Sequence, residues 1–246
     1  MRVGIFDSGA GGLTVTKALL DTPLFDEIIY YGDTARVPYG IKDSNTIIRY
    51  GLEAIEFFNN FNVDCLITAC NTVSAYALEA MRDKSQYPIF GVIEPGVLAL
   101  AKKIKEKNAN ILIIATRATI DSKRYQLELT NLGYKNITAI QTGMLVPIVE
   151  EGIFDGKVLE AMLEYYFKDI KTPDAIILGC THFPLISKAI SSYFNNQPIL
   201  IHSGEAIVEY LGSKNYTKTS HTPKLDIYAS DNVYALRNTA KKWLRV

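Results

Sequence analysis

Two short stretches of this sequence carry the same arrangement of reactive and polar side chains. Ala69-Cys70-Asn71-Thr72 follows the apolar run Cys65–Thr68, and Gly179-Cys180-Thr181-His182 follows Ala175–Leu178. In each, a small residue precedes a cysteine, polar residues follow, and a helical segment comes next. A single reactive cysteine with a histidine base would suggest a hydrolase or acyl transferase. Two matched thiols suggest different chemistry: one thiolate removes a proton from one face of a carbon, and the other thiol delivers a proton to the opposite face. The outcome is racemisation or epimerisation. An unassisted thiol, with a pKa of roughly 8.5, is only about 3% thiolate at pH 7. Neighbours must therefore tune the pair, and two thiols sharing one proton titrate together. Asp7 and His182 occupy the matching strand-end positions and are the candidates for that task. Amide groups at a following helix N-terminus would favour the thiolate as well. The third cysteine, Cys65, lies inside an apolar run and reads as strand packing.

The elements that must position these residues alternate. Strands are expected at Val3–Phe6, Glu27–Tyr31, Asp64–Thr68, Ile89–Val92, Ile111–Ala115, Ile137–Ile140, Ala175–Leu178 and Ile199–His202. Near-continuous apolar runs such as Ile111–Ala115 suit parallel strands covered on both faces. Between them, Thr72–Arg82 places Val73, Ala77, Ala80 and Met81 on one helical stripe. Ser44–Asn59 is expected as a helix capped by Ser or Asn. Strand–helix alternation implies an α/β architecture with parallel sheets. Gly212–Pro223 is polar and reads as an exposed loop, followed by a strand at Leu225–Tyr228 and an amphipathic helix at Asp231–Leu244.

The cysteine motifs also reveal a degenerate repeat. Cys70 and Cys180 are separated by 110 residues, and the opening strands keep nearly that offset: Ile5 leads to Asp7-Ser8, and Ile113 to Thr116 and Thr119. A half of roughly 110 residues thus serves twice. Ligands of parallel α/β sheets bind at the carboxyl ends of the strands, where both cysteines fall. Halves facing across a pseudo-twofold axis would place the two thiols on opposite sides of one cleft.

Other features are weaker. Gly9-Ala10-Gly11-Gly12 follows a strand but matches neither phosphate-binding glycine signature; it suits a turn whose backbone approaches a ligand, a carboxylate-binding nest being one version. Asp33 and Tyr39-Gly40 either line the cleft or form a turn led by Pro38. The three histidines (His182, His202 and His221) show no zinc-site spacing, and no metal or cofactor is expected.

Composition narrows the class of protein. The chain has 246 residues, 26 basic and 26 acidic, hence no formal net charge. Such a length allows one large domain or two small ones. Neutrality argues against a general nucleic-acid or anionic-membrane binder. Cys65–Leu78 is uncharged but too short and too polar to span a bilayer, and Asp7 interrupts any apolar leader, so a cytoplasmic location is expected. Three cysteines form no disulfide framework and are expected as free thiols.

Five motifs run in order along the chain: Gly4-Ile5-Phe6-Asp7-Ser8-Gly9-Ala10-Gly11-Gly12-Leu13, Tyr31-Gly32-Asp33-Thr34-Ala35-Arg36-Val37-Pro38-Tyr39-Gly40, Ala69-Cys70-Asn71-Thr72, Val92-Ile93-Glu94-Pro95-Gly96 and Leu178-Gly179-Cys180-Thr181-His182-Phe183-Pro184-Leu185. Together they resemble the glutamate racemase family, cofactor-independent enzymes that supply D-glutamate for peptidoglycan, and the similarity spans essentially the whole chain. Departures are mild: Ala10 and Val73 stand where the family varies among small apolar residues.

The resemblance implies two similar α/β domains with mainly parallel sheets related by pseudo-twofold symmetry, the active site between them. The first would hold 1–93 with 206–246, and the second 94–205. It implies that Cys70 works on the D isomer and Cys180 on the L isomer, with Asp7 and His182 assisting the nearer thiol. Glu150 would orient His182, although Glu151 is adjacent. Substrate contacts would come from Asp7, Ser8, Tyr39, Gly40, Asn71, Thr72, Thr116, Thr119, Thr181 and His182. The partner implied is small-molecule glutamate, with no nucleic acid and no membrane, and the assembly implied is a homodimer. Rival expectations are a racemase of aspartate or another small amino acid, a non-catalytic amino-acid-binding protein, and a cysteine hydrolase or transferase.

Overall fold

The computed structural model describes residues 1–217, 219 and 221–244. Nine strands are found among these residues: β1 (Arg2–Asp7), β2 (Glu27–Gly32), β3 (Cys65–Thr68), β4 (Ile89–Gly91), β5 (Asn110–Ala115), β6 (Asn136–Gln141), β7 (Ala175–Gly179), β8 (Ile199–His202) and β9 (Lys224–Ala229). They form two sheets in which every pairing is parallel, ordered β4-β3-β1-β2-β9 and β6-β5-β7-β8. All the strands expected from the sequence are present.

The repeat is visible in the topology. The first four strands of each half are arranged alike, β2-β1-β3-β4 against β6-β5-β7-β8. The registers agree too: Val3 lies opposite Cys65, and Ile111 lies opposite Ala175. Cys70 and Cys180 each fall five residues beyond those partners, so they leave their sheets at equivalent points. Residues of alternating parity in the strands pack into separate clusters on the two faces. Val3 and Ile5 pack on one side of the first sheet and Phe6 on the other. Ile111 and Ile113 pack on one side of the second sheet, and Leu112 and Ile114 on the other. Burial on both faces explains the near-continuous apolar runs.

Local chemistry moves several helix boundaries. The helix expected from Ser44 or Asn is capped by Asp43, whose side chain accepts from the Thr46 amide at 3.1 Å, and runs Ser44–Phe58. The single helix expected over Thr72–Arg82 is two segments, Asn71–Tyr76 and Leu78–Lys84. They part at Ala77 (φ −101°), which faces Gly51 of the neighbouring helix so closely that a Cβ there would stand 2.8 Å away. Val73, Ala77 and Met81 of the expected stripe are buried and Ala80 half-buried. The last helix begins at Val233, not Asp231, because the Asn232 side chain caps it by accepting from the Ala235 amide. The preceding helix, Ser203–Ser213, takes in Gly212 and Ser213, and the chain then turns at Asn215 (φ 68°). Of the polar loop expected after it, residues 218 and 220 lie outside the described residues. No helix among the described residues is long and apolar enough to cross a membrane.

The halves meet at their strand-end loops. Thr14 Oγ1 donates to the Thr181 carbonyl at 2.8 Å. Gly11 permits this approach by lacking a side chain, since a Cβ there would stand 2.2 Å from Thr181 Oγ1 and 2.6 Å from His182 Nδ1. Gly40 does the same on another side of the cleft, against Thr116. Gly11→Ala is therefore expected to cost about 1–3 kcal/mol by overpacking, measured by denaturant unfolding. An unchanged midpoint would mean that the loops separate freely.

Candidate active site

In each half the strand order reverses between the first and third strands, which opens a crevice at their carboxyl ends. Asp7 ends β1 and Cys70 follows β3; Thr116 follows β5 and Cys180 follows β7. The two crevices merge into one cleft of about 520 Å³. Its walls include Ser8, Tyr39, Gly40, Cys70, Asn71 and Thr72 from the first half, and Thr116, Glu150, Cys180, Thr181 and His182 from the second. Of the residues expected at the site, only Asp7 and Thr119 stand behind the wall. Thr119 completes a triangle of hydroxyls with Thr72 and Thr116, with sides of 3.0–3.1 Å. It fixes two residues that do face the cleft.

The two thiols have different surroundings. Cys180 Sγ lies 3.6 Å from His182 Nδ1, and His182 Nε2 lies 3.1 Å from Glu150 Oε1. Glu150 rather than Glu151 thus makes the contact; Glu151 is exposed. His182 is almost fully buried. Burial alone would depress its pKa, but the hydrogen bonds to Cys180 and Glu150 outweigh it and hold the value at about 10. The ring is then an imidazolium that donates from both nitrogens. Trp243 of the last helix closes this corner, its ring edge-on to His182 with centroids 6.2 Å apart.

Cys70 has a less polar environment. Its Sγ is 3.6 Å from Ser8 Oγ, and burial, with the Asp7 carboxylate adding to it, pushes the thiol up to about 12. The Val73 amide of the following helix pulls the thiol down, as expected of a helix terminus, but burial outweighs it. The helix after Cys70 has only six residues, and Cys180 is followed by a single 3-10 turn, Phe183–Ile186. Desolvation is the larger effect at Cys70.

The glycine-rich turn also has an internal partner. Its nest holds the protein's own Asp7, whose Oδ2 accepts from the Gly9 amide at 3.0 Å while Oδ1 accepts from Thr181 Oγ1 at 3.4 Å. Full burial raises the Asp7 pKa against the opposing influence of His182 and these donors. Asp33 is buried and is not part of the cleft wall. It accepts from the Tyr39 hydroxyl and from Arg36 Nε at 2.6 Å, and so anchors the loop that brings Tyr39-Gly40 to the wall.

The remaining candidates fall elsewhere. Cys65 is buried in β3, its thiol pushed up to about 12 by desolvation. His221 pairs with Asp26 at the surface, 2.9 Å apart, rather than being merely solvated. Burial lowers the pKa of His202, remote from the cleft. No group of three or more His, Cys, Asp or Glu among the described residues is placed to hold a metal ion. Two residues absent from the sequence-based candidates also bear on the cleft: Trp243, and Tyr125, whose hydroxyl donates to Asn71 Oδ1 at 2.6 Å. Both lie on amphipathic helices, where an aromatic residue gives no signal apart from packing.

Comparison with known proteins places this geometry in a class. Residues 14–211 match the family model for Asp/Glu/Hydantoin racemase. A glutamate racemase of Nitratiruptor sp. is 60% identical, covering 100% of this chain and 97% of that protein. The crystal structure of glutamate racemase from Campylobacter jejuni is 57% identical, with a TM-score of 0.99 over 100% of this chain and 99% of that one. The structure from Francisella tularensis, in complex with D-glutamate, is 30% identical with a TM-score of 0.87, covering 100% and 94%. The chain belongs to the Asp/Glu/hydantoin racemase family.

Because the His182 pKa is raised from 6.5 to about 10, its stabilising contribution is complete below pH 6.5 and disappears as the pH rises through 10. An NMR titration of the His182 ring should therefore show a midpoint near 10, moving down in Glu150→Gln. A midpoint at the ordinary histidine value would exclude the Cys180–His182–Glu150 coupling.

Proposed function

We propose that the chain interconverts L-glutamate and D-glutamate by moving the α-proton between two cysteine sulfurs, without a cofactor. The observation that carries this reading is the placement of two buried cysteines at register-equivalent strand ends on one cleft, each with its own ionisable neighbour. Homologues named glutamate racemase at 57–60% identity supply the substrate. A proton carrier on each face of the α-carbon is what inversion requires. A single base would return the proton to the face it came from.

The asymmetry of the site supports the following division of roles. His182, held protonated by Glu150, donates to Cys180 and keeps it ready as the base. Cys180 takes the α-proton of L-glutamate as the C–H electron pair passes into the adjacent carboxylate. Cys70, whose thiol holds its proton in its buried site, gives that proton to the opposite face. D-glutamate leaves with Cys70 as the thiolate and Cys180 as the thiol. The reverse reaction starts from that state, with Cys70 acting on the D isomer. Asp7, its carboxyl raised by burial, is the neighbour suited to restore the Cys70 proton. Ser8, Tyr39, Gly40, Asn71, Thr72, Thr116, Thr119, Thr181 and His182 form or support the substrate pocket. Hydroxyl, amide and backbone N–H donors suit a substrate with two carboxylates.

The same reading covers the biological setting: D-glutamate supplied for peptidoglycan in the cytoplasm by a homodimer. Each subunit is divided into one domain of 1–93 with 206–246 and another of 94–205. The division is supported by β9, which joins the first sheet beside β2.

In deuterium oxide the protein should remove the optical rotation of L-glutamate and incorporate deuterium at Cα with no added cofactor. Faster turnover of aspartate than of glutamate would replace the substrate assigned. Cys70→Ser and Cys180→Ser should each slow racemisation by about 10²–10⁴-fold, the usual contribution of a general acid or base. Since the enantiomers are equal in free energy, kcat/KM must match in both directions, and the roles separate only in exchange. Cys70→Ser should still exchange the α-proton of L-glutamate, and Cys180→Ser that of D-glutamate. Normal racemisation by either variant would overturn the two-base mechanism.

A further inference from the structure

Tyr125 belongs to the second half of the chain, at the start of the helix Arg124–Asn131, where it is buried among Ile111, Ile113 and Ala115. A phenylalanine would satisfy that apolar setting. The hydroxyl instead crosses to the first half and donates to Asn71 Oδ1 at 2.6 Å. Asn71 directly follows Cys70 and lines the cleft. The ring of the same tyrosine packs on the strand end that carries the other thiol: a Cβ on Gly179, the residue before Cys180, would stand 3.3 Å from it. One side chain therefore hydrogen-bonds the residue after Cys70 and stands beside the residue before Cys180.

The second end of the Asn71 amide is informative. Its Nδ2 is buried and has no hydrogen-bond partner in the protein, a costly state for a donor unless something else satisfies it. An asparagine amide can turn over, exchanging its donor and acceptor ends. With the oxygen held by the Tyr125 hydroxyl, the donor end is left for a ligand. Turned over, it would present an oxygen to a carboxylate-bearing substrate and repel it. We propose that Tyr125 is a positioning residue: it locks the Asn71 amide with its N–H free for the substrate and ties the Cys70 and Cys180 strand ends together. The inference rests on the racemase reading for its substrate but not for its geometry.

Tyr125→Phe, which keeps the ring and its packing, provides the test. The KM for both enantiomers should rise about tenfold, the order expected for weakening one hydrogen bond to a charged group. The kcat should change less than about threefold, because both thiols keep their own neighbours. In an Asn71→Ala background, adding Tyr125→Phe should leave KM unchanged. An equal rise in both backgrounds would reduce Tyr125 to a packing role and overturn the proposal. A readout independent of turnover is the side-chain amide NMR signal of Asn71, assigned by its loss in Asn71→Ala. In the wild type it should shift on adding D-glutamate, and in Tyr125→Phe it should move from its wild-type position before any ligand is added. A resonance unaffected by Tyr125→Phe refutes the positioning role even if the enzyme racemises glutamate. A wild type that fails to racemise, with the resonance still dependent on Tyr125, refutes the substrate reading and leaves the amide lock standing.

Discussion

The cleft depends on a topological constraint. Each half of the chain lays its second strand on one side of its first and its third strand on the other. The connecting segments must then diverge at the carboxyl edge of the sheet, and the space between them is the ligand site of parallel α/β proteins. Because both halves share this order and register, the residues just beyond β3 and β7 are geometrically equivalent. Cysteines there oppose one another only because the two crevices face each other, and the backbones come close enough only because Gly11 and Gly40 carry no side chains.

Within that frame the chemistry is electrostatic. Asp7, His182 and both thiols are buried, and burial penalises every charged form among them. At His182 the Cys180 and Glu150 contacts prevail and the ring stays charged; at Cys70 desolvation prevails and the thiol stays neutral. Two residues of the same type thus sit in unlike surroundings, one thiol beside a charged imidazolium and the other shielded from charge. The environment that separates them is itself asymmetric, whereas the backbone repeat beneath it is nearly symmetric.

The fold was legible because buried parallel strands need apolar residues on both faces, a pattern short-range sequence displays directly. The helix termini were less legible, since they turn on single side-chain hydrogen bonds: Asp43 and Asn232 as caps, and the close approach of Ala77 to Gly51. Among the site residues, those following strands could be found from their strands and from the family motifs. Tyr125 and Trp243 could not, because an aromatic residue on an amphipathic helix reads as core whether or not its polar atom or ring edge reaches a site.

By itself, then, the sequence determined the strand–helix order, the repeat and the identity of the two thiols, since these follow from periodicity and local motif. Which thiol is shielded and which is paired, that the glycine turn wraps Asp7, that Glu150 rather than Glu151 meets His182, and that Tyr125 reaches Asn71 were decided only by the tertiary structure. Each is a contact between residues distant in sequence or a consequence of burial, and the energy of a charge or hydrogen bond depends on the dielectric and partners that only the folded chain brings together.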